Sequence, residues 1–428
     1  MLHPRTLTFA LALAALSIAS PAQAQMDPKT KAAFDVCTKG AMPGTSQAEK
    51  RAAACSEAIQ SKKLAPSELA QARFDRAGAR MALGNKVMAE SDYRDALRRY
   101  DSAIDPKNPA ALDLFRRGAT LDALGQGDRA LKDFNDAIRV DPKSTLAYYG
   151  RGVMLATRTR AYQRAIEDFD KVLTLEPDNV DALIHRGDSY RQIGNYGRAL
   201  ADLDAAVAKE PDNAEALAMR GLANSSRGET ILAKRDYDAA LVIDPHNVDA
   251  LVRRATLDGE GGALRDAIAD LTTALSIEDN NATAHYNRGT FYLRMSDYER
   301  ALADFRSAIE LDSTLGPAYT NRCLVRAILG RDLVGALADC DTALRMLPGN
   351  LDVRDTRGFT YLKADEPAIA VVEYSAALQA DPNRALSLYG RGLAYSRDGR
   401  TKDGEADMAA AKALVPDVAK QFSIYGLE

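Results

Sequence analysis

The chain has 428 residues, 46% of them hydrophobic, with 6% aromatics and no Trp. Lys and Arg total 56 against 60 acids, giving a net charge of −4. That balance holds no basic excess for nucleic acid or an anionic membrane, and a composition rich in Leu and Ala favours helix.

The N-terminus reads MLHPRTLTFALALAALSIASPAQAQ. Arg5 gives a positive start, Leu7 to Ala19 an apolar run, and Ala22-Gln23-Ala24 a small-residue cleavage site. Residues 1–24 are therefore expected to be a Sec-type signal peptide cut after Ala24. The alternative is an uncleaved anchor, for which the run is short. No Cys follows the run, which argues against a lipid anchor. The expectation is an exported chain with no membrane span after signal removal, placed in a bacterial periplasm.

Residues 25–68 read as a degenerate helical repeat that caps a longer repeat array. Over residues 69–416 a small residue recurs after Arg: Ala77, Gly118, Gly152, Gly187, Gly221, Ala255, Gly289, Cys323, Gly358 and Gly392. After a longer first step, the spacing is 34 or 35 residues. The stretch RRYDSAIDPKN (98–108) accounts for that longer step. Each marker is followed by small, large and small residues at helical spacing, as in Ala130, Phe134 and Ala137, which share one face. Asp-Pro or Glu-Pro then closes most units, since proline cannot continue a helix. Each unit is thus a helix hairpin that must stack on its neighbours to bury its apolar face. Residues 417–428 place Val418, Phe422 and Tyr425 on one face, a short helix capping the last unit.

The small, aromatic, Ala and Pro positions at these offsets resemble the tetratricopeptide repeat. The resemblance covers ten units, about residues 70–416. It implies an all-α, right-handed α-solenoid, a superhelix of about ten hairpins with the degenerate unit in front and the capping helix behind. The chain departs from the family pattern in two ways. The helix A Trp is replaced, as by Leu114, Tyr148, Leu183 and His285, and Arg stands where Leu precedes the marker glycine.

Those arginines have partners on the same period. Arg117, Arg186, Arg220 and Arg288 are followed 16 residues later by Asp133, Asp202, Asp236 and Asp304. In the two 35-residue units, Arg151 and Arg322 reach Asp168 and Asp339 in 17. The pattern reads as a ladder of structural ion pairs, within a hairpin or across neighbouring ones. The other reading is a spiral of exposed charge for a ligand.

Cys323 and Cys340 occupy the marker and large-apolar positions of one unit, which face each other where its two helices pack. Cys37 and Cys55 fit the same two positions in the degenerate unit. Two disulfides, 37–55 and 323–340, are expected in an exported chain; buried free thiols are the alternative.

No phosphate loop, no H-E-x-x-H and no recognisable triad occur, and His3, His185, His246 and His285 lie scattered. No enzyme, cofactor or metal is expected. In tetratricopeptide proteins the groove lined by first helices takes peptides or partner helices. Its positions here include Phe115, Tyr149, Tyr286, Phe359 and Tyr389, candidate anchors around an acidic middle with Asp181, Asp188 and Glu215. The expected function is a non-enzymatic periplasmic scaffold or adaptor that binds protein partners, in envelope assembly for instance. The alternative is a receptor for an oligosaccharide or cell-wall fragment.

Overall fold

The computed structural model describes residues 26–38 and 45–427. The expected signal peptide lies outside these. Among the described residues every regular element is a helix, and the chain divides at Asn247 into two compact units.

The first unit holds six hairpins. They are α1 (Pro28–Thr38) with α2 (Thr45–Gln60), α3 (Pro66–Ala82) with α4 (Lys86–Ala103), and α5 (Ala111–Ala123) with α6 (Gly127–Val140). Next come α7 (Thr145–Thr157) with α8 (Tyr162–Leu175), α9 (Val180–Gln192) with α10 (Tyr196–Lys209), and α11 (Ala214–Ser226) with α12 (Thr230–Ile243). The second unit holds α13 (Val248–Glu260) with α14 (Leu264–Ile277), α15 (Ala282–Arg294) with α16 (Tyr298–Leu311), and α17 (Gly316–Leu329) with α18 (Leu333–Met346). It ends with α19 (Leu351–Lys363) and α20 (Pro367–Ala380), α21 (Ala385–Arg397) and α22 (Thr401–Leu414), and the short α23 (Val418–Ile424).

Local signals set these boundaries. Asp141 and Asp381 end α6 and α20 in extended conformation, because the following proline bars the helical region to the residue before it. Two residues beyond such prolines, Asn179 and Asn213 cap α9 and α11, each side chain accepting a backbone N–H of the first turn. Between the two helices of a hairpin the chain reverses through a left-handed residue. It is glycine at Gly194 and Gly228, but Ser296 and Asp365 take the same conformation with φ of 61° and 60°. The stretch 98–108 lengthens α4 to 18 residues and buries Tyr100 completely.

Packing follows the repeat. Ala130, Phe134 and Ala137 are fully buried, as are Ala199, Leu203 and Ala206, and Ala301, Phe305 and Ala308. The marker glycine lets the large side chain press against the first helix. A Cβ at Gly118 would lie 2.9 Å from the Phe134 ring, and one at Gly221 would lie 2.7 Å from Tyr237. Within each unit a second helix packs on its own first helix and on the first helix of the next hairpin, and neighbouring first helices also touch, as α5 does α7 and α17 does α19. The result in each unit is a solenoid with its first helices in one layer. Full burial of one Phe contributes about 2–3 kcal/mol, so each hairpin's core depends on having neighbours.

Candidate interaction surface

Most of the repeated arginines join three helices each. Arg117 on α5 donates from Nε and Nη2 to both oxygens of Asp133 on α6, at 2.7 and 2.8 Å. Its remaining Nη1 donates to Asp101 on α4, in the preceding hairpin, at 3.2 Å. Arg186 repeats this with Asp202 (2.8 and 2.7 Å) and Asp170 (2.6 Å). Arg220 does so with Asp236 (2.7 Å) and Asp204 (3.1 Å). In the second unit Arg288 forks onto Asp304 at 2.8 Å and reaches the Thr272 hydroxyl at 3.2 Å. Where one residue is inserted, Arg151 still meets Asp168 and Arg322 still meets Asp339, both at 2.6 Å.

The bidentate fork fixes the angle between helices, and the third bond fixes one hairpin against the one before. Asp133, Asp236 and Asp304 are buried, so their charges are spent between helices. Burial alone would raise the Asp304 carboxyl, but hydrogen bonds from Arg288 and His285 outweigh it and hold the group below its ordinary value. The Asp133 bond in turn raises the already high pKa of Arg117.

A second set of arginines ties first helices together. Arg158 donates to the backbone oxygen of Asp122 at 3.2 Å, and Arg397 to that of Leu362 at 3.1 Å. Arg384 donates to half-buried Asp355 at 2.6 Å across neighbouring hairpins.

Cys37 on α1 is bonded to Cys55 on α2, with Cα atoms 4.6 Å apart, and Cys323 on α17 to Cys340 on α18, at 5.6 Å. All four cysteines are buried. No group of His, Cys, Asp and Glu that could hold a metal occurs among the described residues.

The five aromatic groove positions divide. Phe115, Phe359 and Tyr389 are buried, with relative exposures of 1%, 4% and 9%. The structure corrects these three from exposed anchors to packing residues. Phe115 fills the space over Gly150, where a Cβ would lie 2.9 Å from its ring. Tyr149 and Tyr286 remain partly exposed. Tyr149 lies edge-on to His185 on the next first helix at 5.6 Å, and Phe169 stacks on His185 at 6.0 Å. Burial, together with the charges of Asp181 and Glu215, pushes the Tyr149 hydroxyl well above its usual pKa. Burial also raises the Asp181 carboxyl, against the pull of His185, and lowers His185. The cluster therefore joins an aromatic surface to acidic groups on α9 and α11. His185 stands two residues before its marker glycine, and only the proximity of the next hairpin brings it to Tyr149.

Phe359 and Tyr389 are covered by α23. Phe422 lies 5.0 Å from Tyr389 and 6.5 Å from Phe359 between ring centres, and Tyr425 lies 5.8 Å from Phe359. Lys363 Nζ donates to the Tyr425 backbone oxygen at 3.2 Å. The helix thus crosses both α19 and α21, one hairpin further back than a cap on the last unit alone would reach.

The geometry defines a class: stacked helix hairpins whose first helices share a layer, tied by arginines of constant register. Tetratricopeptide repeat models match residues 115–180, 156–223 and 282–315. The chain carries tetratricopeptide repeats over those residues. It is 35% identical over 98 residues to small glutamine-rich tetratricopeptide repeat-containing protein 2 of Mycosarcoma maydis, covering 23% of this chain and 28% of that one. The protein of that name in Saccharomyces cerevisiae is 33% identical over 103 residues, covering 24% and 30%. The chain thus spans less than a third of the length of these relatives. A structure of the human IFIT1 dimer with m7Gppp-AAAA aligns over 91% of this chain and 94% of that one, with a TM-score of 0.53 and 13% identity, a likeness of fold alone.

Proposed function

We propose that the protein is an exported, non-enzymatic scaffold that binds partner proteins along its layer of first helices. The observation that carries this reading is the partly exposed cluster of Tyr149 and His185 beside Asp181, on a surface whose repeated arginines are already committed to holding helices in register. A partly exposed aromatic on a rigid support is a suitable anchor for a partner side chain. Two bonded cysteine pairs and the apolar N-terminal run support an oxidising compartment, and a periplasm fits both. No helix among the described residues is long and apolar enough to cross a membrane. A role in envelope assembly is the finer form of the proposal.

The test is crosslinking in intact cells followed by capture of the full-length chain, beside a variant with Tyr149→Ala and Tyr286→Ala. A specific protein captured by the parent and lost from the variant is expected. Capture unaffected by the variant would move the binding surface elsewhere. The same aromatic cluster would also suit a sugar ring. No captured protein, with envelope oligosaccharide protecting Tyr149 from modification, would favour that receptor reading instead.

A further inference from the structure

We infer that α23 is an internal stand-in for a partner helix, and that the surface of α19 and α21 beneath it is a docking site for an amphipathic helix with apolar residues at i, i+4 and i+7. The inference deepens the scaffold reading and rests on it.

The contacts define the ligand chemistry. Val418 and Phe422 are buried at 3% and 6% exposure, and Tyr425 completes their face. Phe422 sits between Tyr389 of α21 and Phe359 of α19, and Tyr425 packs on Phe359. Lys363 holds a backbone oxygen just past the end of the helix, a contact that reads no side chain. Negative helix C-termini favour a cation at that place. The site therefore takes three apolar side chains on one helical face, two of them aromatic, with a lysine at the C-terminal end.

The occupant is built to be displaced. α23 has seven residues, too few to be stable as an isolated helix, so its order comes from this surface. Pro416 separates it from α22, and Ile424 on its outer side is 66% exposed. Its contacts reach two first helices, whereas the layer continues to α17 and α15, where Tyr286 is partly exposed. A partner helix that matches the α23 face and extends along the layer gains contacts that α23 lacks. It needs them, because a tethered segment acts at an effective concentration on the order of millimolar.

The probe is a fluorescein-labelled peptide with the sequence of residues 416–427. The proteins are the full chain and its F422A/Y425A variant, which unseats α23 without touching the site. The variant is expected to bind the peptide at least tenfold more tightly than the parent, and adding Phe359→Ala should abolish that binding. A variant of parental helicity that does not bind the peptide overturns the inference, as does equal binding by the parent. An independent reading uses the parent alone: excess unlabelled peptide should speed hydrogen exchange in α23 and leave α22 unchanged. No change in α23 also overturns it. If the parent instead sediments as a dimer that excess peptide dissociates, the occupant is a second copy of this chain, and the separate partner helix is excluded. These readings stand whether or not the cell capture yields a partner, so the two proposals fail separately.

Discussion

A guanidinium shared by three helices differs from a surface charge in what its loss leaves behind. Removing Arg220 leaves Asp236 buried with Asn224 as its hydrogen-bond donor. Breaking a buried pair from one side costs about 3 kcal/mol, whereas replacing both members by apolar residues often costs little. We predict that Arg220→Ala lowers hydrogen-exchange protection across α11 and α12 by that order, and that Arg220→Leu with Asp236→Leu loses less than half as much. Equal effects would remove the buried-pair account. Asp304 sets a pH dependence. Its pKa is lower folded than unfolded, so its contribution is present above the ordinary carboxylate range and is lost as the pH falls through that range. Asp304→Asn should therefore flatten the fall in the urea midpoint of helicity between neutral pH and about pH 3. Asp75 and Asp122 work in the opposite sense, because burial raises them: protonation favours their folded form, which partly offsets acid unfolding.

A hairpin is specified by its turn and by its one close approach. Adding a Cβ at Gly221 drives it against the Tyr237 ring and within 3.1 Å of the Ala233 oxygen, so Gly221→Ala should cost about 1–3 kcal/mol by thermal melting. Gly197 lies in the first turn of α10 with nothing within 4 Å, and Gly197→Ala should be neutral or mildly stabilising. Cys323–Cys340 closes 17 residues at the same close approach. Replacing both with Ala should cost about 3 kcal/mol, read as proteolysis within α17 and α18. Much of this element level is visible in the sequence, because the small residue, the large one and the Arg–Asp offset share one period. The arginines' third partner is visible only in hindsight. Asp170 stands as far before Arg186 as Asp202 stands after it, yet it reads as an ordinary solvated acid two residues past Asp168. The groove was legible only as a set of positions. Whether a ring there turns inward depends on what the next hairpin offers: Gly150 admits Phe115, and His185 leaves Tyr149 partly open. The apolar face of α23 is plain in its spacing, but spacing does not name the surface it covers.

Within each unit, among the described residues, the hairpins pack on their neighbours, so damage should stay where it is made. Arg220→Ala is expected to leave exchange in α19 to α21 at its parental rate, and a uniform loss through both units would contradict this. Unfolding by urea should deviate from a single two-state transition. The register of the arginines also bears on how such a chain changes over generations. Excising one period, residues 186–219, would set Arg220 against Asp170 where Asp204 had stood, and every remaining fork would find an equivalent acid. Duplicating the same block would do likewise. Recombination between copies therefore yields a foldable product only when it moves whole periods, and each such event lengthens or shortens the layer of first helices while its grammar of contacts is inherited intact.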